Sequence, residues 1–465
     1  MSVRSPLGAT SRSAGLDLAT GGRDLGAREA LRGSRGPVAL AGLMLFGTLI
    51  AVAAAHTSPL LPESIRPAQA VGLAGAFNAL GLNLHAGGTM VALAAMLGCY
   101  VVVVLASRQL SARSVLVSIA ALYAIVLLAP PLISTDIFSY QSYSRMGVVY
   151  GVNPYLNGPH GIALDPLFQY VGAKWAYTPS VYGPVFTVLS YVLAPLSIVA
   201  SVLAYKLIAA LSALAIVAMV WNLARHRGVD PVRAVALVGL NPLLALYGIG
   251  GGHNDLLMLV PVVGAIYATV LGRERLGGGL AVLGVGIKLT AGLIAPFAIA
   301  AGGPLRGRRR RRDLILAMAV SGVALLALGL SVFGAGVFHL FATVQYSQSH
   351  GDWHSIPGLF ITLGATTVGH IVGLLFTLIF VAITIRLLRR VWRGQMDWID
   401  GAAWATFAML VTASSLLPWY VVWLLPLTAL SGDRRLLRWT LILTCFVQIV
   451  QLPGYIPHGA ALVGY

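Results

Sequence analysis

The sequence predicts an all-α, polytopic membrane protein with about 13 membrane segments. The 465 residues are 58% hydrophobic and only 10% charged, with a mean hydropathy of +0.85. Apolar runs long enough to cross a hydrocarbon core of ~30 Å recur along the chain. The arginines lie in the short segments between those runs, where they orient a membrane chain. That placement accounts for the net charge of +17, so a nucleic-acid partner is not expected. Only two cysteines occur, Cys99 and Cys445, each inside an apolar run. A disulfide, a zinc site and a thiol nucleophile are all disfavoured.

Taken in order, residues 1–36 are rich in Arg, Gly and Ser and read as a disordered basic cytoplasmic tail. Asp17, Asp24 and Glu29 argue against a transit peptide there. Candidate spans lie at about 37–55, 87–106, 114–132, 201–223, 232–249, 254–271, 313–333, 367–387, 399–416, 418–431 and 436–452. Between Arg275 and Arg306 lies one apolar stretch of awkward length, broken by glycines and by Lys288. A single crossing would place the polyarginine run Arg306–Arg312 outside. A hairpin of two short helices keeps it inside, near anionic lipid heads, and is the arrangement expected. The N-terminus is then cytoplasmic and the C-terminus outside. Every basic residue except Arg66, Arg145, Lys174, Lys206 and Lys288 falls on the cytoplasmic side. The expected organisation is the tail 1–36, two additional N-terminal transmembrane helices in 37–113, and a main membrane domain 114–465. Its large outer loops cover about 133–200 and 334–366. Val185–Ala200 is apolar but not needed as a crossing, and can lie along the membrane surface as an amphipathic helix.

On this map the outer acids are Glu63, Asp136, Asp165, Asp255 and Asp352, and every histidine but His226 lies on or near the same side. Chemistry that needs a base is therefore expected outside the cytoplasm. The stretch LLAPPLISTDIFSYQSYSRMGVVYGVNPY, Leu127–Tyr155, runs an apolar helix into a polar loop whose first charge is Asp136. Tyr140, Tyr143 and Arg145 come closely after it. An acid at the mouth of a span, backed by aromatics and a cation, suits deprotonation of a sugar hydroxyl beside a lipid-linked phosphate. An acid that merely marks a helix leaving the bilayer would look the same.

Further motifs sit at outer helix ends. GIGGGHNDLLM, Gly248–Met258, presents His253, Asn254 and Asp255 from a glycine turn. No strand precedes it and no GK[ST] comes after, so a nucleotide loop is excluded, whereas the His-Asn-Asp cluster suits a sugar or phosphate contact. TPSVYGP, Thr178–Pro184, offers Tyr182 for stacking on a sugar ring, although the interfacial aromatic belt is the safer assignment. The same holds for LPWYVVW, Leu417–Trp423. Lys288, in the middle of the hairpin, calls for a carboxylate or a lipid phosphate as partner. Lys206 is expected to snorkel. In SQSHGDWHSIPG, the spacing of His350, Asp352 and His354 can hold a metal but equally describes a polar lid. No metal ligand is assigned and no cofactor is required, a divalent cation being the one candidate.

Together, STDIFSYQSYSRMGVVYGVNPY, TPSVYGP, NPLLALYGIGGGHNDLLM, GVGIKLTAGLIAPF and LPWYVVWLLP resemble the actinobacterial polyprenol-phosphomannose-dependent α-1,6-mannosyltransferases, integral-membrane glycosyltransferases of the GT-C superfamily. The resemblance covers about Ser114–Pro426 and leaves out the arginine-rich tail. It implies a GT-C-like fold, with the first two spans outside the catalytic core. It also implies a polyprenyl-phosphate mannose donor and a mannosylated glycolipid or glycan acceptor of the cell envelope. Single displacement with inversion would use Asp136, which matches the family's outer-loop aspartate, as general base. Glu63 is its one rival. Arg145, Lys174 and Lys288 would steady the departing phosphate, with His253 as a hydrogen-bonding substitute. Tyr140, Tyr182, Asn254, Asp255 and His354 complete the expected substrate contacts. The enzyme would be a multi-pass plasma-membrane protein with its active site outside. Another polyprenyl-phosphate sugar, or a flippase or exporter of lipid-linked sugars, are the alternatives. The latter would place ionisable groups along a path to both sides, which this chain largely lacks.

Overall fold

A computed structural model describes residues 17–65, 72–301, 307–349, 352 and 354–452, the side chains of 17–33, 348 and 349 excepted. Every regular element in it is helical. The α-helices are α1 (Asp17–Ala53), α2 (His85–Leu105), α3 (Ala112–Leu128), α4 (Asp136–Val148), α5 (Pro184–Tyr191), α6 (Ile198–His226) and α7 (Pro231–Gly239). A π-helical turn, Leu243–Ile249, leads to α8 (Asn254–Val270), α9 (Glu274–Ile287) and α10 (Ile294–Ala300). Then come α11 (Arg308–Phe333), α12 (His339–Ser349), α13 (Ile356–Thr362), α14 (Thr366–Trp392), α15 (Trp398–Thr412), α16 (Leu425–Leu430) and α17 (Arg434–Val450). Of the tail expected over 1–36, residues 1–16 lie outside the described residues, and α1 begins at Asp17.

Five helices among the described residues are long and apolar enough to cross a membrane: Ser34–His56, His85–Leu105, Ile198–His226, Arg308–Ser347 and Thr366–Trp392. A sixth is added if Pro231–Gly239 and Leu243–Ile249, bent by 45°, form one span. Ala112–Leu128, Asn254–Val270, Leu289–Ala300 and Pro418–Leu430 are apolar but shorter. The count of about 13 rests on the sequence pattern. The outer faces of α11 and α14 are bare hydrocarbon, with Val320 70% and Leu374 61% exposed. Such surfaces are stable only against lipid or another protein.

Local chemistry starts several of these helices. Ser111, Ser197, Asp230, Asp397 and Asp433 each accept a backbone N–H at the first turn of α3, α6, α7, α15 and α17. Such caps satisfy donors that the helix cannot reach itself. Pro231 comes directly after its cap, at a position where its missing N–H costs nothing.

The bundle has two chemically distinct ends. At one, Arg227 pairs with Asp397 at 3.0 Å, Arg275 with Asp313 at 3.4 Å and Arg310 with Glu274 at 3.4 Å. Arg311 lies over the Trp392 ring there. At the other end lie Asp136, His253, Asp255 and Lys288. The 274–300 segment is a hairpin between these ends. Its start meets Arg310, its turn at Lys288 reaches Asp255 2.7 Å away, and its return brings the Ile299 carbonyl to Arg311 Nε at 3.1 Å. Lys288 itself is extended, with φ −152° and ψ 129°, and so ends α9.

Two sequence expectations change here. Val185–Ala200 is not one surface helix: α5 ends at Tyr191 and packs Phe186 inward against the aromatic layer of α4. Lys206 does not snorkel. It is 1% exposed, and its ammonium donates to the carbonyls of Ala129 and Pro130.

Candidate active site

Asp136 opens α4 and sits in its first turn, where the helix N-terminus favours negative charge. The same helix carries Tyr140 and Tyr143 inward, one and two turns further on. Tyr140 packs edge-on against Tyr182 and Phe186, at 4.9 and 5.0 Å between ring centroids. Its hydroxyl lies 3.4 Å from Asn254 Oδ1 and receives the Asn254 backbone N–H at the same distance. The Tyr143 hydroxyl donates to the Thr178 carbonyl at 2.8 Å. These contacts pin α4 to both the glycine turn and the TPSVYGP loop.

That loop is in turn fixed to the hairpin. Because α9 stops at Lys288, the Ile287 carbonyl is free to accept the Gly183 N–H at 2.9 Å. A Cβ on Gly183 would collide with the Gly286 carbonyl oxygen, so only glycine permits the approach. The contact sets Tyr182 beside Lys288, and both line one cleft with Asp136. The cleft has a volume of about 320 Å³, and Trp175, Trp419, Tyr420 and Trp423 supply much of its wall. A mostly apolar cleft with a few convergent polar groups is the usual form of a small-molecule site.

Behind the wall lies a compact charge network. Lys288 Nζ is 2.7 Å from Asp255 Oδ1, an oxygen that also receives the Trp423 indole N–H at 2.6 Å. The ammonium faces the rings of Tyr420 and Trp423, 5.1 and 5.2 Å from their centroids. Desolvating a lysine is costly, and the carboxylate and the two π-faces offset that cost. His253 stacks on Trp419 at 4.0 Å between centroids. Its Nδ1 stands 3.5 Å from Asp136 Oδ2 and 3.9 Å from Asp255 Oδ2.

Burial sets the proton affinities. Asp136 is pushed up to about 6, chiefly because its charge is desolvated; Lys288 and Lys174 pull it back and Asp255 raises it further. Desolvation also pushes His253 down to about 3, so the imidazole is neutral at physiological pH. The arrangement thus supplies a carboxylate poised to take a proton, a cation within the same cleft and flat rings for a sugar face.

Other expected contacts lie elsewhere. Arg145 does not line the cleft; its guanidinium holds Asp165 at 2.7 Å and reaches the Ala194 carbonyl. Burial raises Asp165, but Arg145, the Leu167 N–H and Tyr150 outweigh it and hold the acid low. Lys174 is exposed beside Trp175. Asn254 is buried behind Tyr140. His354 is buried too, with Nδ1 3.1 Å from Asp352 and Nε2 2.7 Å from Gln451, and stays off the cleft. Asp352 also accepts from Ser415, which does line it. His350 lies outside the described residues. Among those described, no group of three or more His, Cys, Asp or Glu has metal-binding geometry.

Tyr182 and LPWYVVW depart from the belt assignment. Tyr182 is 4% exposed, Trp419 9% and Trp423 7%, all at the centre of the site. The signal in the sequence is their setting: Pro418 and Pro426 each open a short helical turn, and a belt does not require two tryptophans four residues apart.

A family model described as "Alpha-(1->6)-mannopyranosyltransferase, N-terminal domain" matches residues 36–302, and one described as "MptB C-terminal domain" matches 348–463. An alpha-(1->6)-mannopyranosyltransferase A of Mycobacterium tuberculosis is 30% identical over 365 residues, 71% of this chain and 68% of the relative. An alpha-(1->6)-mannopyranosyltransferase B of Corynebacterium glutamicum is 27% identical over 380 residues, 72% of this chain and 61% of the relative. No solved structure matches the chain.

Proposed function

As a member of the alpha-(1->6)-mannopyranosyltransferase family, the chain is a mannosyltransferase, and we propose that it takes mannose from a polyprenyl-phosphate donor on the extracytoplasmic face. The acceptor is a mannose-bearing envelope glycolipid or glycan. Asp136 removes the proton of an acceptor hydroxyl as that oxygen attacks the anomeric carbon opposite the phosphate. The C–O bond to phosphate breaks, a β-linked donor gives an α product, and the proton ends on Asp136. Base catalysis of this kind contributes roughly 10²–10⁴-fold. Lys288 faces the negative charge that grows on the departing phosphate, with Lys174 at the loop edge as second cation. Tyr182 and the Trp419–Trp423 segment offer rings to the sugars, and Asp255 holds the lysine in place. Arg145 takes no part in this reading, since it lies off the cleft and pairs with Asp165.

The observation that carries this reading is a single cleft holding Asp136, raised to about 6, together with Lys288 and an aromatic wall. The arginine-rich opposite end supports the orientation, because positive charge marks the cytoplasmic side. Membrane location is supported by the five long apolar helices. The test is transfer by purified protein from a panel of polyprenyl-phosphate sugars, with linkage analysis of the product. Wild type should form a new mannosidic bond in detergent, where a flippase has nothing to do. Asp136→Asn should insert normally and lose nearly all transfer, since an amide cannot accept the proton. Full activity of that variant would move the base to Asp255 or Glu63.

A further inference from the structure

Lys206 is a buried lysine with no part in the chemistry above. It lies on α6 next to Tyr205, whose ring packs on Tyr140 at 5.6 Å. Its ammonium meets the carbonyls of Ala129 and Pro130, where α3 ends, and no carboxylate among the described residues pairs with it. A lysine at a helix C-terminus satisfies carbonyls that the helix leaves open. The cost of burying such a polar group calls for a reason.

The reason lies in the segment between α3 and α4. Residues 129–135 link α3 to Asp136, and Pro130 and Pro131 give this link few donors of its own. Leu132 N–H reaches the Gly250 carbonyl and Ile133 N–H the Leu60 carbonyl, both at 3.0 Å. Asp136 N–H bonds Ser134 Oγ at 3.2 Å. Ile133 is held at φ +64°, a left-handed conformation that a β-branched residue resists. Strain of that kind persists only where the surroundings over-determine it. Lys206 anchors the start of the link, Leu60 and Gly250 its middle. Without the first anchor, Ile133 can relax towards an ordinary φ and carry the start of α4 with it.

We propose that Lys206 is a positioning residue for Asp136: its clamp on the Ala129 and Pro130 carbonyls keeps the strained link in the shape that holds the carboxylate at the cleft. The inference rests on Asp136 being the base. It separates Lys206 from Lys288, which faces the substrate directly.

The test compares kcat and donor KM for full-length Lys206→Met, Lys206→Gln and the double variant Lys206→Met/Ile133→Gly, with Asp136→Asn alongside. Lys206→Met should lower kcat on the order of ten- to a hundredfold, as small misplacement of a reacting group does, while donor KM stays near wild type. Lys206→Gln, which still donates to a carbonyl, should recover part of the loss. Ile133→Gly in the Met background should also recover part, because glycine adopts the left-handed φ without strain. A simple packing defect predicts neither rescue. Wild-type kcat in Lys206→Met, equal change in KM and kcat, or failure of both rescues would each overturn the proposal. Loss of folded protein in both Lys206 variants would do the same and leave the lysine structural. If Asp136→Asn retains activity, the base assignment itself falls. If it is inactive while Lys206→Met is normal, only the positioning role falls.

Discussion

The pH dependence of transfer should be set by Asp136 and tuned in opposite directions by two of its charged neighbours, Lys288 and Asp255. A base must be ionised to work, and a group titrating at about 6 is roughly 90% ionised at pH 7 and roughly 10% at pH 5. The kcat/KM for donor should therefore fall about tenfold between those values, against almost no fall for a carboxylate near its ordinary pKa of ~4. Lys288 lowers Asp136 and Asp255 raises it. Lys288→Met removes the stabilising cation and leaves Asp255 unpaired, so the acid limb should move to higher pH. Asp255→Asn removes the repelling anion and frees Lys288 from its 2.7 Å partner, so the limb should move to lower pH. The assay is initial-rate transfer in detergent across the acid range, with thermal stability followed in parallel to exclude acid unfolding. A wild-type profile flat from pH 7 to pH 5, or limbs that move the same way in both variants, would refute the electrostatic account.

Packing and topology give three further outcomes. Arg145→Gln leaves Asp165, whose side chain is 1% exposed, without its cation, and should cost about 1–3 kcal/mol of stability with donor KM unchanged; a raised donor KM would return Arg145 to the phosphate site. Gly183→Ala drives a Cβ into the Gly286 carbonyl and should lower Tm and transfer together, by about 1–3 kcal/mol of stability, while an unperturbed variant would show that the loop and hairpin are not locked. Cysteines placed at the exposed Ala163 and at Ser347 should react with an impermeant thiol reagent in whole cells, whereas one at the exposed Arg308 should not; labelling at Arg308 would reverse the orientation proposed for the arginine-rich end.

Much of this site was legible in linear order. Hydropathy and the position of charges are local properties, so the all-helical membrane class came from composition alone. The same holds for the arginine-marked helix ends and the hairpin at Lys288. Asp136 stood out because a carboxylate directly after an apolar run is rare, and Lys288 because a lysine inside one calls for a partner. What periodicity does not encode is which helix ends meet. Lys288 meets Asp255, 33 positions away, only because α8 and α9 pack side by side. Arg145 shares α4 with Tyr140 and Tyr143, yet Asp165 on the loop after α4 draws it away from the cleft. LPWYVVW has the composition of an interfacial belt, but α8 and the hairpin surround it, and its rings become the wall of the cleft. Lys206 has the composition of a snorkelling lysine, and the carbonyls of Ala129 and Pro130 capture it. In each case the local chemistry allowed more than one setting, and packing against neighbours distant in sequence, with the desolvation it imposes, decided which was taken.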